Sequence, residues 1–243
     1  MYKDKSIICL VLARGGSKGI KNKNFIKIQG KPLIEYSFDQ IKKSKYIDEF
    51  LLSSDSNKII NIAKKNKIEA PFKRPAYLAS DNSKSEESIL HAISYLEKNK
   101  KKFDFILLIE PTSPLRDFDD IDGIIKFTID NNYFSAVSIC DVSTCHPNFM
   151  YSLNKNKIKK AFNSDNFKSK PRQYLSKYYF LEGSLYFSSI KFFKKNKSFI
   201  SQKTGGYILP KWKSLEIDEP IDIVIFESYI KNLKNLKKFK NEK

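Results

Sequence analysis

Residues Ser6 to Asn24 read SIICLVLARGGSKGIKNKN. An unbroken apolar run, Ser6–Leu12, opens directly into a turn containing Gly15, Gly16 and Gly19 together with Arg14, Lys18, Lys21 and Lys23. A short apolar run punctuated in this way predicts a strand buried on both faces, as in the middle of a mostly parallel sheet. At its end the glycines let the main chain approach an anion closely and aim N–H groups at it. The cations supply the matching charge, so the joint points to a nucleotide or another polyphosphate. Neither the Walker A pattern nor G-x-G-x-x-G can be laid on it. A purely structural glycine turn is the competing reading. Against it, Arg14 and Lys18 flank the glycines with two cations of different reach, an arrangement that can stabilise a triphosphate and its departing pyrophosphate.

Outward from this joint, apolar runs alternate with amphipathic stretches as far as Cys140. Strands are expected at Ser6–Leu12, Glu49–Ser53, Phe105–Ile109 and Ala136–Cys140, and helices at Leu33–Lys43, Asn57–Lys65, Ser85–Lys98 and Phe118–Asn131. This is the pattern of an α/β fold with a mostly parallel sheet flanked by helices, and in such sheets ligands collect beyond the carboxyl ends of the strands. Short polar residues at Ser54–Asn57 read as a helix cap, and Pro111-Thr112-Ser113-Pro114 stops the third strand. From Asp141 to Lys177 the rhythm gives way to a Lys/Asn/Ser-rich stretch with isolated aromatics, too long for an ordinary connection. Strands resume at Ser184–Ser189 and Gly206–Leu209, and Pro220–Asn232 reads as a closing amphipathic helix. The chain of 243 residues suits a single domain over 1–234, with 235–243 a polar tail too charged to assign structure.

The formal net charge is +18, which raises nucleic acid as a partner. Of the 45 basic residues, however, only four are arginine, and the lysines are scattered through a chain rich in Asn and Ile. That distribution reads as solvated surface, without the aromatic-basic signature of nucleic-acid binding. Arginine is more telling, because its planar fork holds phosphate and carboxylate bidentately. The three cysteines form no framework, and a reducing cytoplasm fits them. Cys145-His146 cannot be completed to a zinc set, since the remaining histidine is His91. About six apolar residues precede Arg14, too few for a signal-peptide core or a membrane span.

Three further groups carry chemistry. In Ser214-Leu215-Glu216-Ile217-Asp218 the two carboxylates alternate, so an extended segment projects both to one face. That pairing suits Mg²⁺, which takes one or two carboxylates and completes its shell with phosphate oxygens and water. The competing reading is a helix start, because Asp218-Glu219 precedes Pro220. The loop Lys73–Asp81 reads as a polar turn, with Ser83 or Ser85 capping the next helix and Arg74 out of place on a mere surface loop. Arg116 reads as structural, with Asp117, Asp119 or Asp120 as partner.

Together these pieces resemble the cytidylyltransferases that activate nine-carbon 2-keto acid sugars, the CMP-sialic acid synthetase family with its legionaminic and pseudaminic acid relatives. The matching segments are A-R-G-G-S-K-G-x-x-x-K-N from Ala13 to Asn24, R-P-A-x-L-A-S-D from Arg74 to Asp81, P-T-S-P-L-R from Pro111 to Arg116, P-R-Q from Pro171 to Gln173 and S-x-E-I-D from Ser214 to Asp218. The resemblance implies a Rossmann-like nucleotidyltransferase acting as a homodimer through an inserted segment, here Asp141–Lys177. It implies CTP over the glycine turn, contacted by Leu12, Ala13, Arg14, Gly15, Gly16, Ser17 and Lys18. Arg14 and Lys18 would hold the triphosphate and Lys23 would lie near the α-phosphate. Asn24, Arg74 and Ser85 would contact the cytidine, with Ser83 also in the nucleotide set. Glu216 and Asp218 would hold Mg²⁺, and Arg14, Lys18, Lys23 and Asp218 form the catalytic set. The sugar side falls to Glu110, Pro111, Thr112, Ser113, Arg172, Gln173, Glu182 and Tyr186, with Arg172 reaching a neighbouring subunit's pocket.

The implied reaction is attack by the sugar's anomeric hydroxyl on the α-phosphorus of CTP, giving a CMP-sugar and pyrophosphate. The chain departs from the family where sialic-acid enzymes often have glutamine, here Glu110, and where they have Pro-Asn-Gly, here Leu181-Glu182-Gly183; an arginine often found nearby is Phe180. A carboxylate would repel the sugar's own carboxylate and accept well from hydroxyl, amide or amino groups, so the expected acceptor differs from ordinary sialic acid. A cytidylyltransferase for the eight-carbon acid of lipopolysaccharide, a non-catalytic basic binding protein and an inactive homologue are the alternatives.

Overall fold

Ile7 to Leu12 form the strand expected of the opening run, and all of its residues are buried, in a computed structural model that describes residues 1–16, 19–162 and 174–241. In chain order the elements are β1 (Ile7–Leu12), β2 (Lys27–Ile28), β3 (Lys31–Pro32), α1 (Leu33–Ile41), β4 (Glu49–Ser53), α2 (Asn57–Lys65), α3 (Ser85–Lys98), β5 (Phe105–Ile109), α4 (Phe118–Asp130), β6 (Ser135–Asp141), β7 (Tyr151–Asn154), β8 (Lys157–Lys160), β9 (Tyr179–Ser189), α5 (Ile190–Asn196), β10 (Gly205–Ile208), α6 (Pro220–Lys231) and α7 (Leu233–Leu236). Six strands make the main sheet in the order β10-β6-β9-β5-β1-β4. β1 runs parallel to β4 and β5, and β10 parallel to β6, whereas β9 is antiparallel to both of its neighbours.

Strand periodicity divides the core. Ile7, Cys9 and Val11 pack with Leu107 and Ile109 against Phe38 of α1, Ile59 of α2 and Ile124 of α4. Ile8, Leu10 and Leu12 face the other way, with Ile106 and Leu108, onto Ile89 and Ile93 of α3 and Phe193 of α5. Alternate residues therefore feed two apolar layers, which explains why the central strands read as continuous hydrophobic runs. A third cluster joins Leu115, Trp212, Ile217 and Phe226 of α6. It seats the segment containing Glu216 and Asp218.

Several boundaries differ from the periodicity. α1 ends at Ile41, α4 at Asp130 and α6 at Lys231, each one or two residues early. The strand expected from Ser184 begins at Tyr179, and its pairing with β6 shifts register between Val137 and Ile139. Gly183, at φ +84°, takes the left-handed bend at this irregularity. Ser138 fills the gap: its hydroxyl donates to the Leu185 carbonyl at 3.1 Å and accepts the Leu185 N–H at 2.9 Å. Neither Ser83 nor Ser85 caps α3. Its N-cap is Lys84, and the Ser83 hydroxyl donates to the Ser80 carbonyl at 2.7 Å. The polar tail is also corrected, because α7 and a 3₁₀ turn at Lys237–Asn241 continue the chain. Leu233 and Leu236 grip the third cluster. Within Asp141–Lys177 lies the hairpin β7–β8. Its stem is pinned by His146, whose Nδ1 accepts the Asn148 N–H and whose Nε2 faces the Ser176 carbonyl at 3.0 Å.

Arg116 is structural, as expected, through different partners. Buried at 2 % exposure, it donates to the carbonyls of Glu110, at 2.8 Å, and Ser113, and to the Ser37 hydroxyl at 2.6 Å. Asp117 and Asp120 form a capping box on α4 and flank the ammonium of Lys213, which is 2.9 Å from Asp117 and in contact with Asp120. Lys213 has no solvent exposure. Burial pushes the Asp120 carboxyl up to about 6 against the pull of that ammonium. Removing one partner of a buried pair strands the other charge. Lys213→Met should therefore lower the stability by about 3–5 kcal/mol, read as a fall in denaturant midpoint, and Lys213→Met/Asp120→Asn should recover part of the loss.

Candidate active site

The carboxyl ends of β1, β4 and β5 converge on one edge of the sheet, and the loops that follow them build the site. After β1 the glycine turn is held from both sides. The Ala13 N–H donates to the Ser53 carbonyl at 3.1 Å and the Gly15 N–H to Asp55 Oδ1 at 2.9 Å. A methyl group on Gly15 would come within 2.9 Å of Ser56 Cβ, and one on Gly19 within 2.5 Å of the Asp218 carbonyl oxygen. Gly19 is needed for close approach of backbone to backbone and Gly15 for the approach of the Ser56 side chain, and one N–H expected to face an anion is spent on Asp55. Beyond the turn, Asn24 is 7 % exposed. Its Nδ2 donates to the Arg14 carbonyl at 3.1 Å, and its Oδ1 has no partner among the described residues. A buried acceptor left open in this way is costly unless a ligand donor meets it.

Three cations ring one end. Arg14 reaches Asp81 at 2.8 Å, with both side chains well exposed; such a pair contributes only about 0–1 kcal/mol and yields readily to a stronger anion. Lys23 contacts Asp218. Arg74 is buried, its Nε donating to the Ser53 hydroxyl at 3.1 Å and its Nη2 to the Ser53 carbonyl. Burial lowers its pKa, against which the carboxylates of Asp55 and Glu110 act. A cavity of about 330 Å³ is lined by Leu12, Arg14, Gly19, Lys23, Asn24, Arg74, Ser85, Glu110, Pro111, Thr112 and Asp218. A second lobe of about 290 Å³ shares Arg14, Arg74 and Ser85 with it and adds Ser83 and Asp81.

The other end is acidic. The Ile217 N–H donates to the Thr112 carbonyl at 2.7 Å, and the Thr112 hydroxyl donates to Glu216 Oε1 at 3.2 Å. These two bonds fasten the Glu216–Asp218 segment to the turn after β5. The helix-start role falls to Glu219, which forms the capping box of α6 with Asp222, and Asp218 lines the cavity. Burial raises the Glu216 pKa, and Asp218 and Glu182 add to the rise. Burial, then Glu216, push the Glu110 carboxyl up to about 7, while Arg116 and Arg74 pull it down. Glu182 is 3 % exposed and turned inward, its Oε1 accepting from the Ser184 hydroxyl at 2.5 Å and N–H at 3.1 Å. Tyr186 lies in the field of Glu110, Glu182 and Glu216; burial first, then these charges, push its hydroxyl up to about 12.

Of the residues expected from the sequence, Leu12, Arg14, Lys23, Asn24, Arg74, Ser85, Glu110, Pro111, Thr112 and Asp218 share the first cavity and Ser83 the second. Ser113 lies buried beneath the turn, and Ala13, Gly15, Gly16, Glu182, Tyr186 and Glu216 do not line the cavity. Ser17, Lys18, Arg172 and Gln173 lie outside the described residues. Sequence reasoning missed Asp55, Asp81 and Ser53 as holders of the glycine turn, Arg14 and Arg74. An aspartate two residues after a buried strand was the available signal.

Glu110 gives the free protein a pH signature. Its ordinary value is 4.5, so between there and about 7 the folded chain keeps a proton that the unfolded chain has released. Stability falls as pH rises through that window. Metal-free Glu110→Gln should therefore be more stable than the unsubstituted protein at pH 8, by about 1–3 kcal/mol, with the gap closing towards pH 5 in parallel denaturant titrations.

The family model described as cytidylyltransferase matches residues 8–243. The chain is 33% identical over 235 residues to the post-translational flagellin modification protein B of Campylobacter coli, covering 95% of this chain and 97% of that protein. It is 31% identical over 232 residues to the CMP-N,N'-diacetyllegionaminic acid synthase of Campylobacter jejuni, covering 95% and 97%. Among solved structures, a CMP:2-keto-3-deoxy-manno-octonic acid synthetase complexed with CTP superposes with a TM-score of 0.68 at 12% identity, covering 94% of this chain and 99% of that one. That match establishes the same α/β fold. With a glycine turn, a cationic lobe and a carboxylate end assembled in one cavity and the family model matching nearly the whole chain, the protein belongs to the cytidylyltransferase family of nucleotidyltransferases.

Proposed function

We propose that this protein transfers CMP from CTP to the anomeric hydroxyl of a nine-carbon 2-keto acid sugar, releasing pyrophosphate. The observation that carries the reading is a single cavity lined by both kinds of charge, Arg14, Lys23 and Arg74 together with Glu110 and Asp218, with Thr112 beside them. A triphosphate belongs with the cations and a polyhydroxylated acceptor with the carboxylates. The open Asn24 Oδ1 would supply an acceptor for a nucleoside donor group, and Arg74 and Ser85 line the same cavity. The named product of the Campylobacter jejuni relative, a CMP-activated sugar acid, supports the acceptor class. Catalysis on this reading is positioning plus electrostatic stabilisation of the phosphate.

Glu216 and Asp218 are the residues we assign to Mg²⁺. Among the described residues no three acidic, histidine or cysteine side chains converge on one point, and two carboxylates fit a magnesium ion that takes its remaining ligands from phosphate and water. Mutual repulsion between Asp218 and Glu216 is the charge imbalance a divalent cation relieves. When bound, the ion would neutralise charge on the reacting phosphate and leaving group. Lys23, in contact with Asp218, is the residue we assign to the α-phosphate.

The test is pyrophosphate release from CTP with Mg²⁺ and a panel of nine-carbon keto acids, with the eight-carbon acid included. Turnover with a nine-carbon acceptor is expected, and roughly 100-fold or greater loss in Asp218→Ala, in Lys18→Ala and on chelation. Preference for the eight-carbon acid, or full activity in either variant, overturns the corresponding assignment.

The assembly we propose is a homodimer through the Asp141–Lys177 excursion. All eight residues of β7 and β8 are exposed, including Leu153 at 71% and Ile158 at 69%. A lone two-stranded hairpin is marginal in water and gains stability by packing. Leu153→Lys/Ile158→Lys should shift the mass measured by light scattering from dimer to monomer. An unchanged mass would place the interface elsewhere.

A further inference from the structure

Resting on the nucleotide end of the transferase reading, we infer that Asp81 is an internal stand-in for the nucleotide's phosphates. Arg14 is passed from Asp81 to an incoming triphosphate and returns when pyrophosphate departs, so Asp81 sets how tightly polyphosphate is held.

The exchange is placed at Arg14 by how that residue is seated. Its main chain is fixed: the Ala13 N–H donates to the Ser53 carbonyl at 3.1 Å, the Gly15 N–H to Asp55 Oδ1 at 2.9 Å, and the Arg14 carbonyl accepts from Asn24 Nδ2 at 3.1 Å. Its side chain instead reaches outward, with Nη1 on Asp81 Oδ1 at 2.8 Å and both partners well exposed. The other cations of the cavity are seated differently, Arg74 buried on Ser53 and Lys23 against Asp218. A guanidinium on a pinned backbone with an exposed end can swing without disturbing the glycine turn.

Asp81 stands in a closed turn, where the Ser83 N–H donates to the Ser80 carbonyl at 3.2 Å and the Ser83 hydroxyl to the same oxygen at 2.7 Å. The lobe it shares carries Arg14, Arg74 and Lys84, and Asp81 is the carboxylate that lines it. Arg14 and Arg74 repel: after burial, and against Asp55 and Glu110, the charge of Arg14 also lowers the Arg74 pKa. A carboxylate on Arg14 relieves that repulsion in the empty site. A triphosphate, with several charges and oxygens that match the guanidinium fork, relieves it better. An exposed ion pair is worth a factor of at most about five in an equilibrium, small enough for a polyphosphate to break and large enough to be read in its binding. At the end of a turnover the same carboxylate competes with pyrophosphate for Arg14 and favours its departure.

The experiment is a double-mutant cycle read by calorimetry on the full chain. CTP, inorganic pyrophosphate and cytidine are titrated, at one Mg²⁺ concentration and without acceptor, into the unsubstituted protein, Asp81→Asn, Arg14→Ala and the double variant, with unliganded thermal midpoints as the check on folding. Asp81→Asn should tighten CTP and pyrophosphate roughly 2- to 5-fold and leave cytidine unchanged. In the Arg14→Ala background it should change neither polyphosphate, and Asp81→Glu, which keeps the charge, should bind CTP as the unsubstituted protein does. An equal gain with and without Arg14 would make Asp81 a general repulsive charge, and an unchanged or weakened CTP affinity in Asp81→Asn would remove it as a competitor; either result overturns the inference. Because the cycle needs no acceptor, absence of pyrophosphate release with every keto acid overturns the transferase reading alone, whereas absence of CTP and pyrophosphate binding overturns both.

Discussion

Beneath the turn that follows β5 lies a guanidinium with almost no access to water. Arg116 donates to the carbonyls of Glu110 and Ser113 and to Ser37 of α1, and burial pulls its pKa down to about 10. A buried cation is tolerated where hydrogen bonds and nearby opposite charge offset its desolvation; here both terminal nitrogens are bonded, while Nε has no partner among the described residues. Glu182 supplies the largest favourable charge on it. The shape of the Pro111–Ser113 turn follows from this arrangement. On that turn stand Glu110 and Thr112, and from the Thr112 carbonyl hangs Ile217, with Glu216 and Asp218 on either side. The acidic half of the site is one hydrogen-bonded construction with Arg116 at its base.

The cationic half is built by different means and meets it at one place. Its glycine turn is pinned to the loop after β4 through Asp55, and at Gly19 it lies directly against the Asp218 backbone. Lys23 crosses the same gap to the Asp218 side chain. The two halves therefore share a residue as well as a cavity. A change in how Asp218 is held is felt by the cationic half and the acidic half together, which suits the two-substrate reaction proposed.

Much of this was legible in the chain. β1, β4, β5 and α2 were readable because their apolar residues serve two layers or one helical face, and periodicity records burial. The glycine turn was readable because it joins glycines and cations at the end of a buried strand, whereas Arg74, Pro111–Arg116 and Glu216–Asp218 stood out through the family resemblance. What escaped has a common cause. Lys213, one of many lysines in a basic chain, gave no sign of being buried, since its partners Asp117 and Asp120 lie far away in sequence. Glu182 and Glu110 looked alike as acidic departures beside the site, yet one folds back on Ser184 and the other faces the cavity. The α7 turn was masked by its lysines, which hide Leu233 and Leu236.

By itself the sequence determined the α/β class, the edge of the sheet where the site lies and the residue types that meet there. Strand burial, glycine turns and paired carboxylates are local properties, written within a few residues. Tertiary structure alone decided the irregular antiparallel β9, the partners of Arg14, Arg74, Arg116 and Lys213, and which carboxylates line the cavity. Those depend on contacts between segments up to about a hundred residues apart and on the desolvation each contact imposes, neither of which a linear pattern carries.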